Sequence, residues 1–503
     1  MTTAIWWIKR DFRLHDNDAL AAALAQAKFV LPVFVFEPEL IDQPDYSAMH
    51  VHAWHQALSD LRARLTERGS NVFIATDDVL NVFSHLQKEL GFDAIFSHEE
   101  TGTHWTYKRD IRAARWCNEQ QIEWREYHQN AVIRRLKNRN DRQPVFQQRL
   151  IKTPTVTAPN TVPLPQDLQG VCAAQEIPGH TDFFEAEDYS KIQFDLLQTV
   201  SETSALKELK SFLTERGIAY SGGISSPNSA FEAGSRLSPH LAWGTLSLRT
   251  VFKATTNAQL RYKLSDNDNA QQWEKSLRAF TSRLHWHDHF IQRLESESDM
   301  EFTAINPAYA EIVYENDPAR LDAWVNGYTG VPMVDACMRC LQATGFMNFR
   351  MRAMVVSFAV YGLHLSWRFI HEPLARIFLD YEPGIHLSQL QMQAGVVGIN
   401  TIRVYSPTKQ INDQDPDCIF IKRWIPELAD FDSATIIDYE KTALGTYPKP
   451  IVDFKTNSKL MKDQIFAIRK SQQGKDASQE VLKKHGSRKK TAAKKPSSQM
   501  QLF

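Results

Sequence analysis

The first ~130 residues alternate short apolar runs with amphipathic stretches, and this alternation narrows the fold more than any other feature of the chain. "AIWWI" (4–8), "FVLPVFVF" (29–36), "NVFIAT" (71–76), "DAIFSH" (93–98) and "IEWREYH" (122–128) read as strands. Between them, "DDVLNVFSHLQKELG" puts Val79, Leu80, Val82, Phe83, Leu86 and Leu90 on one helical face before Gly91 stops the run. Strands alternating with helices form a parallel sheet covered on both faces. Such sheets bind ligands beyond the carboxyl ends of their strands. No G-x-G-x-x-G follows the first strand, which argues against a nicotinamide-dinucleotide domain.

The remainder is organised differently, as expected of 503 residues, too many for one core. Residues 131–202 read as an interdomain linker, in which "KTPTVTAPNTVPLPQDLQG" is rich in Pro and Thr and crosses the surface. Residues 203–450 read as mostly helical. In "VPMVDACMRCLQATG" (331–345), Val331, Val334, Met338 and Leu341 make one stripe and Gly345 closes it. Residues 451–503 form a C-terminal extension whose last ~30 residues, with seven Lys/Arg between 483 and 495, are expected to be a disordered tail, either solubilising or a nucleic-acid arm. The net charge of -1 draws the whole chain to neither DNA nor membrane, so such affinity must be local. Five scattered cysteines suit a reducing compartment, and no apolar run approaches membrane-spanning length. We expect a soluble, cytoplasmic monomer without a membrane partner.

"SRLHWHDHF" (282–290) is the densest cluster of chemistry-bearing residues. On a helix His285 and His289 share a face while His287 points elsewhere. The stretch lacks the glutamate of H-E-x-x-H and any companion cluster, so no metal is expected. Cys337 and Cys340 stand one helical turn apart and read as buried cysteines. Trp286, amid polar groups, is either an aromatic platform for a base or an isoalloxazine ring, or an ordinary core residue.

Five motifs occur in order: "WWIKRDFRLHDNDAL" (6–20), "GSRLSPHLAWGTLSLR" (234–249), "WVNGYTGVPMVDACMRCLQATGFMNFRMR" (324–352), "DYEPGIHLSQLQMQAGVVGINTIRVYSP" (380–407) and "FIKRWIPEL" (420–428). In this order and spacing the chain resembles the photolyase/cryptochrome family from residue ~4 to ~430. The resemblance implies a Rossmann/flavodoxin-like α/β antenna domain at 1–130 and an all-α FAD-binding domain at 203–450. It implies light-driven electron transfer from reduced FAD to UV-damaged DNA, or blue-light sensing in members that have lost repair.

Residue by residue, the resemblance places flavin contacts at Tyr220 and at the turn Gly234, Ser235, Arg236, Leu237 and Ser238. The backbone N–H groups and hydroxyls of such a turn can cradle a diphosphate. Arg350 matches the arginine beside the isoalloxazine, Asp380 and Glu382 match the family's two acids, and Tyr381 between them is a further implied flavin contact. His386 falls near the position that faces the flavin ring, where it could share a proton. Trp286 matches the tryptophan that receives the flipped lesion. Arg283, His287, Arg403 and Gln410 belong to the implied DNA surface. Trp367 matches the middle of the electron-transfer chain. An antenna pigment, methenyltetrahydrofolate or a deazaflavin, is left undecided, with Glu100 in "SHEETG" as its candidate contact.

Three departures stand out. Arg283 replaces the glutamate that contacts the cyclobutane dimer, and His287 replaces an arginine. Phe349 and Ala353 stand where (6-4) photolyases carry histidines. Leu390 or Gln391, and a position near Asn306, replace tryptophans of the chain, leaving Tyr361 or Tyr381 as alternatives. Only Cys337, Cys340 and Cys418 lie in the C-terminal half, too few for an iron–sulfur cluster. The expected function is cyclobutane-dimer repair. The alternative is a cryptochrome-type photoreceptor with a signalling partner, and a metal-dependent hydrolase ranks last.

Overall fold

A computed structural model describes residues 1–265 and 268–486. Five parallel strands, β1 (Thr3–Trp7), β2 (Phe29–Phe36), β3 (Phe73–Thr76), β4 (Ala94–His98) and β5 (Glu123–Tyr127), pair in the order β3-β2-β1-β4-β5. The two-residue period of a strand sorts β1 between two cores. Ala4 and Trp6 pack with Phe34, Phe36 and Trp54 on one face, and Ile5 and Trp7 with Val33, Phe83 and Ile95 on the other. Pro32 sits inside β2 opposite Trp6, but β3 begins pairing only at Val33, so its missing N–H costs no ladder bond. Helix Val79–Leu90 ends at Gly91 in the left-handed region.

The Pro- and Thr-rich segment returns along the α/β domain rather than merely crossing the surface. Val162 packs into one core, and Leu164, Leu168 and Cys172 into the other. The helical domain is built around Pro332–Thr344, whose residues other than Arg339 are buried, and Gly345 caps it at φ 64°. This helix is buried nearly all round and lies in the middle of the core, so the stripe read from the sequence was only part of its buried surface.

The C-terminal extension carries two further helices, Phe454–Lys470 and Gln472–His485. Met461 and Ile465 join the helical core, and Phe454 stacks on Phe358 at 5.6 Å. Expected disorder therefore fails as far as His485, which is buried against Glu297. The basic segment from 487 onward lies outside the described residues. Among the described residues, no helix is long and apolar enough to cross a membrane.

The domains are tied at the motif that opens the chain. Arg10 lies over Trp243 at 4.7 Å and donates to the Tyr381 carbonyl at 2.7 Å. Arg13 donates to the Gly244 carbonyl at 2.9 Å. Gly244 adopts φ 69°, and a Cβ there would collide with the Arg10 carbonyl, so only glycine suits this junction.

Candidate flavin and lesion cavities

Two adjoining cavities open in the helical domain. The inner one, about 280 Å³, is lined by Tyr220, the Gly234–Ser238 turn, His287, Asn348, Arg352, Asp380, Glu382 and Gln389. The outer one, about 340 Å³, is lined by Arg350, Met392, Gln393, Asn400, Arg403 and Tyr405. Ile224, Arg283, Trp286 and Phe349 border both. The 27-residue helix Ala270–Ser296 delivers Arg283 and Trp286 to this shared wall, its Leu277, Phe280 and Leu284 turned into a local core.

The inner cavity is polar where a flavin would need partners. Arg352 Nη2 meets both Asp380 oxygens at 2.8 and 2.7 Å, its Nε holds the Met347 carbonyl at 2.8 Å, and its guanidinium covers Phe378 at 3.9 Å. Glu382 accepts from the Ile385 N–H at 2.8 Å, capping helix Pro383–Gln393, and burial pushes its carboxyl up. Burial pushes His287 down to about 4 despite the Asp380 charge, so it is neutral at pH 7. Burial pushes the Tyr220 hydroxyl up to about 12, opposed by Arg283, which hydrogen-bonds to it. Among the described residues, Arg236 Nη1, His287 Nδ1 and Gln389 Oε1 are buried around this cavity without a partner in the chain. Buried polar atoms without partners are rare, and their convergence on one space fits a ligand rich in acceptors and donors.

Several sequence-derived assignments move. The arginine paired with Asp380 is Arg352; Arg350 faces the outer cavity. Two residues apart on a helix, they project to nearly opposite sides, and choosing between them needs the helix phase. Tyr381 turns from the cavity to the α/β domain, donating to Asp45 at 2.6 Å and stacking on His50. Leu237 is buried in a core cluster, so the turn presents Ser235, Arg236 and Ser238 without it. Arg236 holds φ 59° in that turn, a strained setting for a non-glycine residue. His386 Nε2–H donates to the His371 carbonyl at 3.1 Å, behind a wall made by Glu382, Ile385 and Gln389. Gln410 is buried outside the cavity lining, while Arg403 is in it. His287 borders the inner cavity, not the outer.

The other histidines of "HWHDH" diverge. His285 stacks on Phe146 at 4.4 Å, and His289 lies beside Arg293 at 3.3 Å. Asp288 accepts from the Ala131 N–H at 3.0 Å and from Arg142 at 2.6 Å. Trp367 is buried in the helical core. Gln391 is committed to three backbone groups, of Met300, Thr303 and Ile305, and Asn306 to Ser478. Tyr361 is buried with its hydroxyl on the Ala394 carbonyl. All five cysteines are free and buried.

The crevice beyond the strand ends of the sheet contrasts with these cavities. Arg109 binds Glu100 at 2.5 Å, Asp110 at 2.9 Å and Glu37 at 3.0 Å, and lies over Trp7 at 5.0 Å. Lys9 binds Asp110 at 3.0 Å. Glu100, the candidate pigment contact, is buried in this network. Burial pushes Glu37 up to about 7 against the pull of Arg109.

Comparison with known proteins bears on both halves. Residues 4–150 match the DNA photolyase family, and residues 280–467 match the FAD binding domain of DNA photolyase. The chain belongs to the photolyase/cryptochrome family. It is 26% identical to a cryptochrome DASH of Natronomonas pharaonis, covering 90% of this chain and 98% of the relative. It is 28% identical to a deoxyribodipyrimidine photo-lyase of Vibrio cholerae, covering 89% and 96%. In fold it is similar to a bacterial class III photolyase from Agrobacterium tumefaciens, with TM-score 0.79, 24% identity and 94% and 98% coverage. It is also similar to an archaeal photolyase from Sulfolobus tokodaii solved with two FAD molecules, with TM-score 0.74, 25% identity and 93% and 100% coverage. The chain is thus a photolyase/cryptochrome with an α/β domain followed by a helical FAD-binding domain. Relatives of both names match at similar identity, so the family resemblance does not choose between repair and sensing.

Proposed function

We propose that the chain is a light-dependent DNA repair enzyme that splits cyclobutane pyrimidine dimers. The observation that carries this reading is the outer cavity: an aromatic wall, Trp286, and three arginines adjoin the inner cavity across one layer of side chains. The inner cavity fits FAD, which would be held by the Arg352–Asp380 pair, by Ser235, Arg236 and Ser238 at the diphosphate, and by the unpartnered atoms of His287 and Gln389. Bound and reduced, FAD supplies the photoexcited electron.

The residues of the chain do the rest. Trp286 stacks the extruded pyrimidine, as enzymes that flip bases require of an aromatic wall. Arg350 and Arg403 hold the flanking phosphates, an affinity that falls with salt. Ile224, Met392 and Ile399 keep water from the reacting rings. UV-damaged DNA is the substrate partner on this reading.

Photoreceptor function is the second reading. It is favoured by the replacement of the family's tryptophans at Leu390 or Gln391 and near Asn306, where Leu390 is a core residue and Gln391 and Asn306 are bonded into the fold. The test is repair of a cyclobutane-dimer oligonucleotide, single- and double-stranded, by photoreduced protein with and without blue light. Thymine recovery confined to illuminated samples is expected. No recovery by protein with bound, reducible FAD would transfer the case to sensing.

A further inference from the structure

The wall between the two cavities carries a charge that the family pattern lacks. Arg283 borders both spaces, packs its guanidinium over Phe349 at 5.4 Å and is hydrogen-bonded to the buried Tyr220 hydroxyl. Tyr220 is itself fixed edge-on against Phe212 and Phe280, at 5.6 Å each. The cation is therefore held in place and not left to sweep solvent. The outer cavity has Arg283, Arg350 and Arg403 in its lining and, among the described residues, neither an aspartate nor a glutamate. A cavity whose charged side chains are all cationic favours whatever negative charge enters it.

We propose that Arg283 is the charge-stabilising residue of the electron-transfer step, holding negative charge on either side of the wall it occupies. This rests on the repair reading above and adds how repair proceeds without the acid of related enzymes. An electron enters one pyrimidine and its charge collects on a ring carbonyl beside Arg283. The two carbon–carbon bonds joining the rings break, and the electron returns to its donor. No proton is consumed, and the guanidinium keeps its own throughout. On the inner side the same cation favours the reduced, anionic flavin before any DNA arrives. Tyr220 and Phe349 are positioning residues for it.

The full chain with FAD bound gives two readouts. Without DNA, spectroelectrochemical titration measures the reduction midpoint of the flavin: R283Q is expected to lower it, R283E to lower it further, and R283K to leave it close to wild type. With dimer oligonucleotide at saturation, repair per absorbed photon is expected to fall about tenfold or more in R283Q, while R283K stays within about threefold. Dark affinity is measured separately by gel shift. If R283Q keeps the wild-type midpoint and saturating yield and loses only dark affinity, Arg283 is a phosphate contact and the proposal is overturned. A wild-type protein that repairs nothing would end the repair reading alone. The midpoint series would still decide Arg283: a lowered midpoint in R283Q supports its charge role, and an unmoved one overturns it.

Discussion

The crevice of the α/β sheet and the paired cavities of the helical domain are both places where such folds hold ligands, and they are finished in opposite ways. Around Arg109 the carboxylates of Glu37, Glu100 and Asp110 are all paired within the chain, leaving Glu37 Oε1 buried without a hydrogen bond and only a small space of about 50 Å³ beside Lys9 and Glu100. Around the inner cavity, Arg236, His287 and Gln389 each keep a buried polar atom without a partner. A site that satisfies itself contributes to stability; one that leaves atoms unsatisfied is completed by something it binds.

The comparison is most severely tested by removing Arg109. Arg109→Met strands Glu37 and Glu100 and leaves Asp110 only Lys9, and breaking buried pairs of this kind costs about 3–5 kcal/mol. A large drop in thermal midpoint with FAD content unchanged is expected; loss of FAD in proportion would show that the crevice is not separate from the flavin site. Asp380→Asn should do the reverse. It removes a charge-assisted pair worth about 1.5–3 kcal/mol, so apoprotein should bind FAD about 10- to 100-fold more weakly with little change in melting.

Acid should separate the two regions by sign. His287, on the inner cavity, is pushed by burial to about 4, below the ordinary 6.5, so unfolded chains bind more protons than folded ones below pH 6.5. The stability it confers is complete above pH 6.5 and is lost as pH falls, by up to about 1.4 kcal/mol per pH unit. Glu37, raised from 4.5 to about 7, acts oppositely: its contribution is complete below pH 4.5 and lost as pH rises to 7. His287→Gln should therefore flatten the acid limb of a melting-against-pH curve, and Glu37→Gln should remove the loss of stability between pH 4.5 and 7. The smallest effect belongs to Glu100→Gln, about 1–2 kcal/mol, because Arg109 retains two carboxylates. The near-UV spectrum of the purified protein should not change; a lost absorption band would place a pigment in the crevice after all.

The strands were legible to within two residues at each end because apolar runs, turn residues and the two-residue period coincide, as in "FVLPVFVF". Helix Pro332–Thr344 was legible because Pro and Gly bracket it. Family motifs located the cavities. The errors share a cause: the pattern tells which residues are near a site, not which way each one points. Arg350 and Arg352, or Tyr381 and its neighbours Asp380 and Glu382, differ only in helix phase or backbone turn, and those are set by packing. Helix Gln472–His485 was hidden by its lysines: it has few buried side chains, Val481 and His485 among them, and reads as a polar tail.

Arg10 joins two facts that sequence separates by 371 positions: it leaves β1 and ends on the carbonyl of Tyr381, between the two acids that border the inner cavity. Modular engineering of this protein would meet that link first. A helical domain expressed alone, or grafted onto another relative's α/β domain, would lose the group that fixes the backbone between Asp380 and Glu382. The N-terminal domain, whatever light it does or does not gather, is in this sense a piece of the inner cavity's scaffolding.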